Sequence, residues 1–209
     1  QRTPPTRTAL VFGGSGQIGQ PLLTRLADAG WDVVAVSRDA RVSRAGLRWL
    51  RGDFSTATGL PADVDVILSC GPLDAFARWF ARGEVACRRV VAFGSTSLEI
   101  KQHSGDAGER GLAQRLRDAE ALLFDTARQR GIDATVLRPT LVYGAGRDAT
   151  LTRIAALATR LHGFVLPADA TGLRQPVHVD DLAAAAIACL DAPATHGQAY
   201  ALPGGETLP

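Results

Sequence analysis

Apolar residues gather in short, nearly unbroken runs at 8–12, 32–37, 64–69, 89–94 and 134–138, each followed by glycine, proline or polar residues and then a helix-like or irregular segment. Runs this continuous, rich in valine, leucine and isoleucine, read as strands buried on both faces, as in a parallel sheet with helices on each side. Parallel neighbours need long crossovers, and these have to be right-handed. The intervening segments have the right period for them. Ile18, Leu22 and Leu26 recur at helical spacing, with Pro21 tolerated near the first turn, where N–H groups lack intrahelical partners. Leu116, Ala119, Leu123 and Ala127 form one stripe over 115–130, closed by Gly131 as a helix stop. Leu151, Ile154, Ala155 and Ala158 repeat the pattern over 151–161, and Leu182, Ala185, Ala186, Cys189 and Leu190 make an apolar face ending before Pro193. The expected class is α/β, with a doubly wound parallel sheet.

The first run ends in Gly13-Gly-Ser15-Gly16-Gln17-Ile18-Gly19, three glycines three apart at the turn from strand into helix. One permits the tight turn, one lets backbone approach a phosphate, and one lets helix and strand pack closely. The first helical N–H groups then face an anion, assisted by the helix dipole. This reads as the seat of a dinucleotide pyrophosphate in a Rossmann-like fold. About twenty residues further on, an NAD site places an acidic side chain on the adenosine ribose, and here the second strand ends in Ser37-Arg38-Asp39. The Arg38 guanidinium suits the 2′-phosphate of NADP, with Ser37 adding a hydrogen bond, while Asp39 leaves NAD open. The third strand finishes in Arg51-Gly-Asp53-Phe54, where Asp53 either faces the adenine or closes a turn, and Phe54 or its neighbours pack the ring. The fourth finishes in Cys70-Gly71-Pro72, small residues where a cofactor passes the carboxyl edge of the sheet.

Length and composition narrow the class. The chain has 209 residues and is 46% hydrophobic, enough for one large domain and a core on both faces of a sheet. Its 23 basic and 21 acidic residues lie spread along the sequence with no basic block, which predicts no nucleic-acid partner. Cys70, Cys87 and Cys189 are far apart, without metal-ligand spacing or a disulfide framework, so no metal is expected. No run of about 18 apolar residues is present to span a bilayer, and residues 1–7 contain no apolar signal region. The expectation is a cytoplasmic protein acting on a small molecule, away from membranes.

Together the glycine loop, Arg138-Pro139-Thr-Leu-Val142-Tyr143-Gly144-Ala-Gly146 and Pro176-Val-His178-Val-Asp180-Asp181 resemble the extended short-chain dehydrogenase/reductases, the NAD(P)-dependent epimerase/dehydratase group. The resemblance runs in order from about residue 8 to about residue 203. It implies a Rossmann-like domain over 1–146 and a small substrate lobe within 147–209, interleaved with a returning segment at 176–203. It also implies that Arg138 and Pro139 end the sixth strand beside the nicotinamide, that Tyr143 opens a loop lining the substrate cleft, and that His178 with Asp181 anchors a helix near that cleft. From the residues alone, Asp180 and Asp181 are good N-caps for the helix that follows. The fifth strand ends in Gly94-Ser95-Thr96-Ser97, matching the family's serine-rich strand end, whose hydroxyl bonds a substrate oxygen; Ser95 is the best match and Thr96 the next. Family members often pair through a two-helix face, which makes a homodimer an expectation by resemblance.

One part of the pattern is missing. In the resembled family a tyrosine four residues before a lysine transfers the proton, the lysine lowering the phenol from about 10 toward working pH. This chain has Lys101 as its only lysine and Tyr143 and Tyr200 as its only tyrosines, so no such pair exists. By resemblance the lysine position is Leu116 or Arg117 and the tyrosine position Leu112 or Ala113; Arg117 suits the ribose contacts, but an apolar residue does not replace the phenol. Two functions remain: an atypical NADP-dependent oxidoreductase or epimerase on a small carbonyl or sugar-like substrate, and a non-catalytic NADP(H)-binding sensor or regulatory protein. The last residues, 197–209, resemble a strand and turn after which family members continue, so either the chain is trimmed or its substrate lobe is minimal, built mainly from 147–175 with Arg147, Arg153, Arg160 and Arg174 available to an anionic substrate.

Overall fold

The computed structural model describes residues 6–144 and 175–205. The apolar runs become β1 (Thr8–Phe12), β2 (Asp32–Ser37), β4 (Val66–Ser69), β5 (Arg89–Phe93) and β6 (Asp133–Pro139), joined by β3 (Leu47–Arg51). Two short strands, β7 (Val142–Tyr143) and β8 (Val177–His178), pair with each other, and β9 (Gln198–Leu202) returns to the main sheet beside β6. That sheet is parallel throughout, seven strands in the order β3-β2-β1-β4-β5-β6-β9. The order reverses at β1, which pairs with β2 on one side and β4 on the other. A crevice at the carboxyl ends of such a pair is the usual ligand position in open α/β sheets.

Strand alternation splits the core in two. Ala9, Val11, Leu68 and Val91 face α1 (Gly19–Asp28) and α5 (Val179–Leu190), while Leu10, Ile67, Val90 and Val136 face α2 (Leu73–Ala81) and α4 (Ala107–Arg130). Each of these strand residues is almost wholly removed from water, worth ~1.5–3 kcal/mol for a large aliphatic side chain. α2 is built on aromatic packing: Phe76, Trp79 and Phe80 lie beneath Phe12, which meets Trp79 edge-on at 4.5 Å.

Boundaries differ from expectation where caps overrule periodicity. The helix expected over 115–130 starts at Ala107, because Asp106 caps it by accepting the Glu109 N–H at 2.9 Å; Gly108 and Gly111 interrupt the apolar stripe there and hide this first part. Its end is as expected, with Gly131 in the left-handed region at φ 66°. The cap of α5 is a correction: His178 is the N-cap, its Nδ1 accepting the Asp180 N–H at 3.2 Å, and Asp180 and Asp181 lie in the first turn. There the two carboxylates still favour the positive end of the helix. The helix expected over 151–161 and the four arginines at 147, 153, 160 and 174 lie outside the described residues.

Candidate functional site

The glycine loop sits where the strand order reverses, and its glycines divide their work. Gly13 has φ +73°, and a Cβ there would stand 2.9 Å from the carbonyl carbon of Cys70, so the bare backbone lets the loop lie against the end of β4. A Cβ on Gly19 would fall 2.2 Å from Gly13 O, so α1 crosses directly over the loop. Gly16 is different, since a Cβ there would meet only Gly13 O, at 3.2 Å, and otherwise open space. The N-cap of α1, Ile18, has no capping side chain, and the first turn carries no acidic residue. An uncapped helix end without a local carboxylate suits the pyrophosphate of a dinucleotide. Gly14, which the spacing pattern alone did not single out, is wedged against Leu23, Ala35 and Trp49, with a Cβ 3.3 Å from the Trp49 ring.

The end of β2 is tied to this loop. Ser37 is buried, donates to Ser15 Oγ at 3.2 Å and accepts the Asp39 N–H at 3.2 Å. Arg38 and Asp39 are exposed beyond it. The Asp53 carboxylate closes a turn, accepting the N–H groups of Ser55 and Thr56 at 2.8 and 2.9 Å and the Thr56 hydroxyl at 2.8 Å. The Ser55 N–H first and then the Thr56 hydroxyl hold that carboxyl below its ordinary value against the opposing effect of desolvation, with the Thr56 N–H and the charge of Arg38 adding to the depression. Phe54 stacks on Phe12 at 4.7 Å and fills the space a side chain at position 71 would need, 2.9 Å from its Cβ. Burial alone pushes the Cys70 thiol up to about 12, which keeps it a neutral apolar group at the strand end. Pro72 follows as the N-cap of α2.

At the end of β5, Ser95 and Ser97 form a small turn in which Ser95 Oγ donates to Ser97 Oγ at 3.0 Å and accepts the Ser97 N–H at 3.1 Å. Thr96 is buried, its N–H donating to Pro139 O at 3.2 Å and its hydroxyl to the same carbonyl at 3.4 Å. The short helix α3 (Ser97–Ile100) then packs against α4. Arg117 reaches it from α4, donating to Leu98 O at 2.8 Å and Gln102 Oε1 at 3.1 Å. Of the alternative positions on α4, Ala113 is fully buried and Leu116 packs into the α2-side core. Neither register brings a phenol or an ammonium to the serine turn.

Arg138 has partners that sequence spacing did not reveal. Its Nε donates to Glu120 Oε1 at 2.8 Å, one terminal nitrogen to Glu120 Oε2 at 2.5 Å, and the other to Glu99 Oε1 at 2.6 Å. Glu120 is 6% exposed, and Gly94 leaves it room, since a Cβ there would lie 3.2 Å from Glu120 Oε1. The available signal was a glutamate falling within the apolar stripe of α4, between Leu116 and Leu123. Beyond Pro139 the chain reaches Tyr143, whose ring meets His178 edge-on at 5.1 Å. Gly144, at φ +117°, makes room for that imidazole, because a Cβ there would overlap its Nε2 at 2.2 Å. Among the described residues no three histidine, cysteine, aspartate or glutamate side chains are grouped to hold a metal, and no helix is long and apolar enough to cross a membrane.

Comparison with solved structures finds the same fold. MoeE5 in complex with UDP-glucose and NAD is 22% identical with a TM-score of 0.73, covering 96% of this chain and 77% of that one. The Bordetella bronchiseptica enzyme WbmF in complex with NAD+ is 16% identical, TM-score 0.74, with 97% and 74% covered. UDP-N-acetylglucosamine 4-epimerase from Methanobrevibacter ruminantium M1, in complex with UDP-N-acetylmuramic acid, is 16% identical, TM-score 0.76, with 97% and 78% covered. No curated protein matches the chain in sequence. The family model does match, over residues 9–93 and 117–202, from β1 to the end of β5 and from within α4 to the end of β9. With its glycine loop, its strand order and most of its length inside that match, the chain belongs to the NAD dependent epimerase/dehydratase family.

Proposed function

We propose that the chain binds a nicotinamide dinucleotide, NADP(H) in preference to NAD(H), and serves an oxidoreductase or epimerase reaction on a small carbonyl or sugar-like substrate. The observation that carries this reading is the uncapped N-terminus of α1 above a glycine loop pressed onto Cys70. In that crevice Gly13, Ser15, Gly16, Gln17, Ile18 and Gly19 meet the pyrophosphate, while Ser37 and Arg38 meet the adenosine ribose and its phosphate. Asp53 and Phe54 border the adenine, and Cys70, Gly71, Pro72, Arg138 and Pro139 flank the path toward the nicotinamide. Solved neighbours of the same fold hold NAD and UDP-sugars, which supports both ligand classes. When bound, the nicotinamide ring supplies or accepts hydride. The chain's own part is to hold the substrate oxygen: Ser95 presents its hydroxyl by exchanging Ser97 Oγ for that oxygen, Thr96 fixes the turn through Pro139 O, and Tyr143 and His178 form the cleft wall. Arg117 contributes positioning, through its bonds to Leu98 O and Gln102 Oε1.

The absent phenol favours a second reading, a dinucleotide-binding sensor without turnover, because Leu112 or Ala113 stands where the proton donor belongs. One experiment separates the two. Calorimetric titration with NADPH and NADH, repeated on Arg38→Ala, reads binding and preference; hydride transfer is then followed by absorbance across carbonyl and nucleotide-sugar substrates with the parent and Ser95→Ala. Turnover that falls in Ser95→Ala supports the enzyme, and tight NADPH binding without turnover supports the sensor. Binding of neither cofactor defeats both.

A further inference from the structure

Arg89, the first residue of β5, donates to Cys189 O near the end of α5 at 2.9 Å, so α5 runs opposite to the strand beneath it. The beginning of α5 therefore lies over the carboxyl edge of the sheet, where β5 leads into the serine turn. Backbone bonds tie the two together: the Thr96 N–H donates to Pro139 O, the Val177 N–H donates to Leu141 O at 2.8 Å, and His178 pairs with Tyr143. Val177 is buried in the same core as Phe93 and Leu137, at or near the carboxyl ends of β5 and β6. His178, next to it, keeps 34% of its side chain exposed.

The cap of α5 fixes where this imidazole carries its hydrogen. Nδ1 accepts the Asp180 N–H at 3.2 Å, while Asp180 Oδ2 stands farther from the same nitrogen, at 3.5 Å. A ring nitrogen that accepts carries no proton, so the neutral imidazole holds its proton on Nε2 and is a donor there. Among the described residues Nε2 has no hydrogen-bond partner. The plane of the ring is set as well, by the edge-on contact with Tyr143 at 5.1 Å and 76°. Gly144 leaves the Nε2 edge the room that a Cβ there would take.

Serine, threonine, aspartate or asparagine caps a helix through one side-chain oxygen. An imidazole adds a second nitrogen on the far side of the ring, and here the cap decides that this second nitrogen is the one that donates. A rigid donor at the same sheet edge as the Ser95 hydroxyl supplies what a phenol would otherwise give to a substrate oxygen, a hydrogen bond that strengthens as negative charge develops there. We infer that His178 is a catalytic residue: its Nε2–H donates to the carbonyl oxygen of the substrate, beside the Ser95 hydroxyl, and the cap on Nδ1 keeps the ring in that tautomer. The neutral ring lends a hydrogen bond and keeps its proton. A carbonyl oxygen has two lone pairs for two such donors, whereas an alcohol brings a proton that Nε2–H has no lone pair to receive. The ketone or aldehyde form of the substrate is therefore favoured over the alcohol. This rests on the oxidoreductase or epimerase reading above and names the group that stands in for the absent phenol.

The test uses His178→Ser, which keeps a capping oxygen and removes the Nε2–H, and His178→Ala, which removes both. The first is expected to keep the parent's thermal midpoint and the second to lower it, so the cap and the donor are read separately. Nitrogen-15 NMR of the histidine-labelled chain in alkaline buffer, with His178 one of four histidines and assigned by its loss in His178→Ser, is expected to show Nδ1 bare and Nε2 protonated. The reverse tautomer overturns the inference. Calorimetry then compares a nucleotide sugar in keto and hydroxyl forms, UDP-4-keto-6-deoxyglucose and UDP-glucose, in the presence of NADP+, which cannot reduce the ketone. The ketone is expected to bind the parent more tightly, and His178→Ser to weaken it by about 3- to 10-fold while UDP-glucose changes by less than about 2-fold. In the parent itself the His178 Nε2 signal is expected to move with the ketone and not with UDP-glucose, a reading that needs no variant to fold. A ketone without advantage, an advantage that survives in His178→Ser, or a parent that binds neither sugar overturns the inference. Failure of the reading beneath is distinct, since it is a parent that binds no nicotinamide dinucleotide.

Discussion

Replacing Glu120 by alanine tests whether the serine turn is held by a buried charge. Glu120 accepts two guanidinium bonds from Arg138 at 2.8 and 2.5 Å and is 6% exposed, while Arg138 keeps one further contact, to Glu99 at 2.6 Å. Each charge-assisted bond is worth ~1.5–3 kcal/mol, and removing one partner of a buried pair typically costs ~3–5 kcal/mol because the other charge is left without compensation. Glu99 remains and offsets part of that charge, so the expected loss lies near the lower limit, about 3 kcal/mol. For a chain of this size that is about 6–12 °C in Tm. Glu99 has 56% of its side chain exposed, and Glu99→Ala is expected to cost no more than about 1 kcal/mol, as for other solvent-screened pairs. The assay is urea unfolding of Glu120→Ala, Glu99→Ala, Arg138→Leu and the Glu120→Ala/Arg138→Leu double variant. Coupling appears as a double variant less destabilised than the sum of its singles. Equal small losses for Glu120→Ala and Glu99→Ala, or strict additivity in the cycle, would refute the reasoning. The pair also joins α4 to the end of β6, where Pro139 O receives the Thr96 N–H and hydroxyl, so substrate affinity is expected to fall with stability.

Two further substitutions separate folding from binding in the glycine loop, and a third locates an acid-sensitive contact. Gly19→Ala places a methyl 2.2 Å from Gly13 O and 2.6 Å from Gly14 Cα, all backbone, and is expected to cost about 3 kcal/mol or more. Gly16→Ala meets only Gly13 O at 3.2 Å and is expected to stay within about 1 kcal/mol of the parent while losing dinucleotide affinity; the reverse order in thermal melts and titrations would contradict the division of roles. Asp65 accepts the Thr8 N–H at 2.7 Å and the Thr8 hydroxyl at 3.1 Å. Its carboxyl is held below the ordinary value by that N–H first, against the opposing effect of burial, with the hydroxyl and the charges of Arg88 and Arg7 adding to the depression. A depressed folded-state value means this stabilisation is complete above the unfolded value of about 4 and is lost as pH falls through the folded one. Asp65→Asn is therefore expected to flatten the acid limb of urea midpoint against pH, and an unchanged slope counts against the contact.

Local signals survived well because they depend on chain geometry alone. The continuous apolar runs located β1, β2, β4, β5 and β6 to within a residue or two at each end, and Gly131 stopped α4 as its missing Cβ allows. The start of α4 was harder to read, since the signal there is a cap at Asp106 rather than a stripe. The cap of α5 went to His178 because its imidazole, not either aspartate, lies one residue before the first helical position.

The amino-acid order by itself determined the parallel α/β class, the glycine loop and the lack of a tyrosine–lysine pair, since each is a matter of residue identity and short-range spacing. Only the tertiary structure decided the rest, because strand order and helix crossing bring together residues far apart in the chain. The closeness of Gly13 to Cys70, the pairing of Arg138 with Glu120 across α4 and β6, and the meeting of His178 with Tyr143 beside Gly144 all arise in this way. Spacing along a chain encodes which face of an element is apolar; it does not encode which charge meets which across a folded sheet.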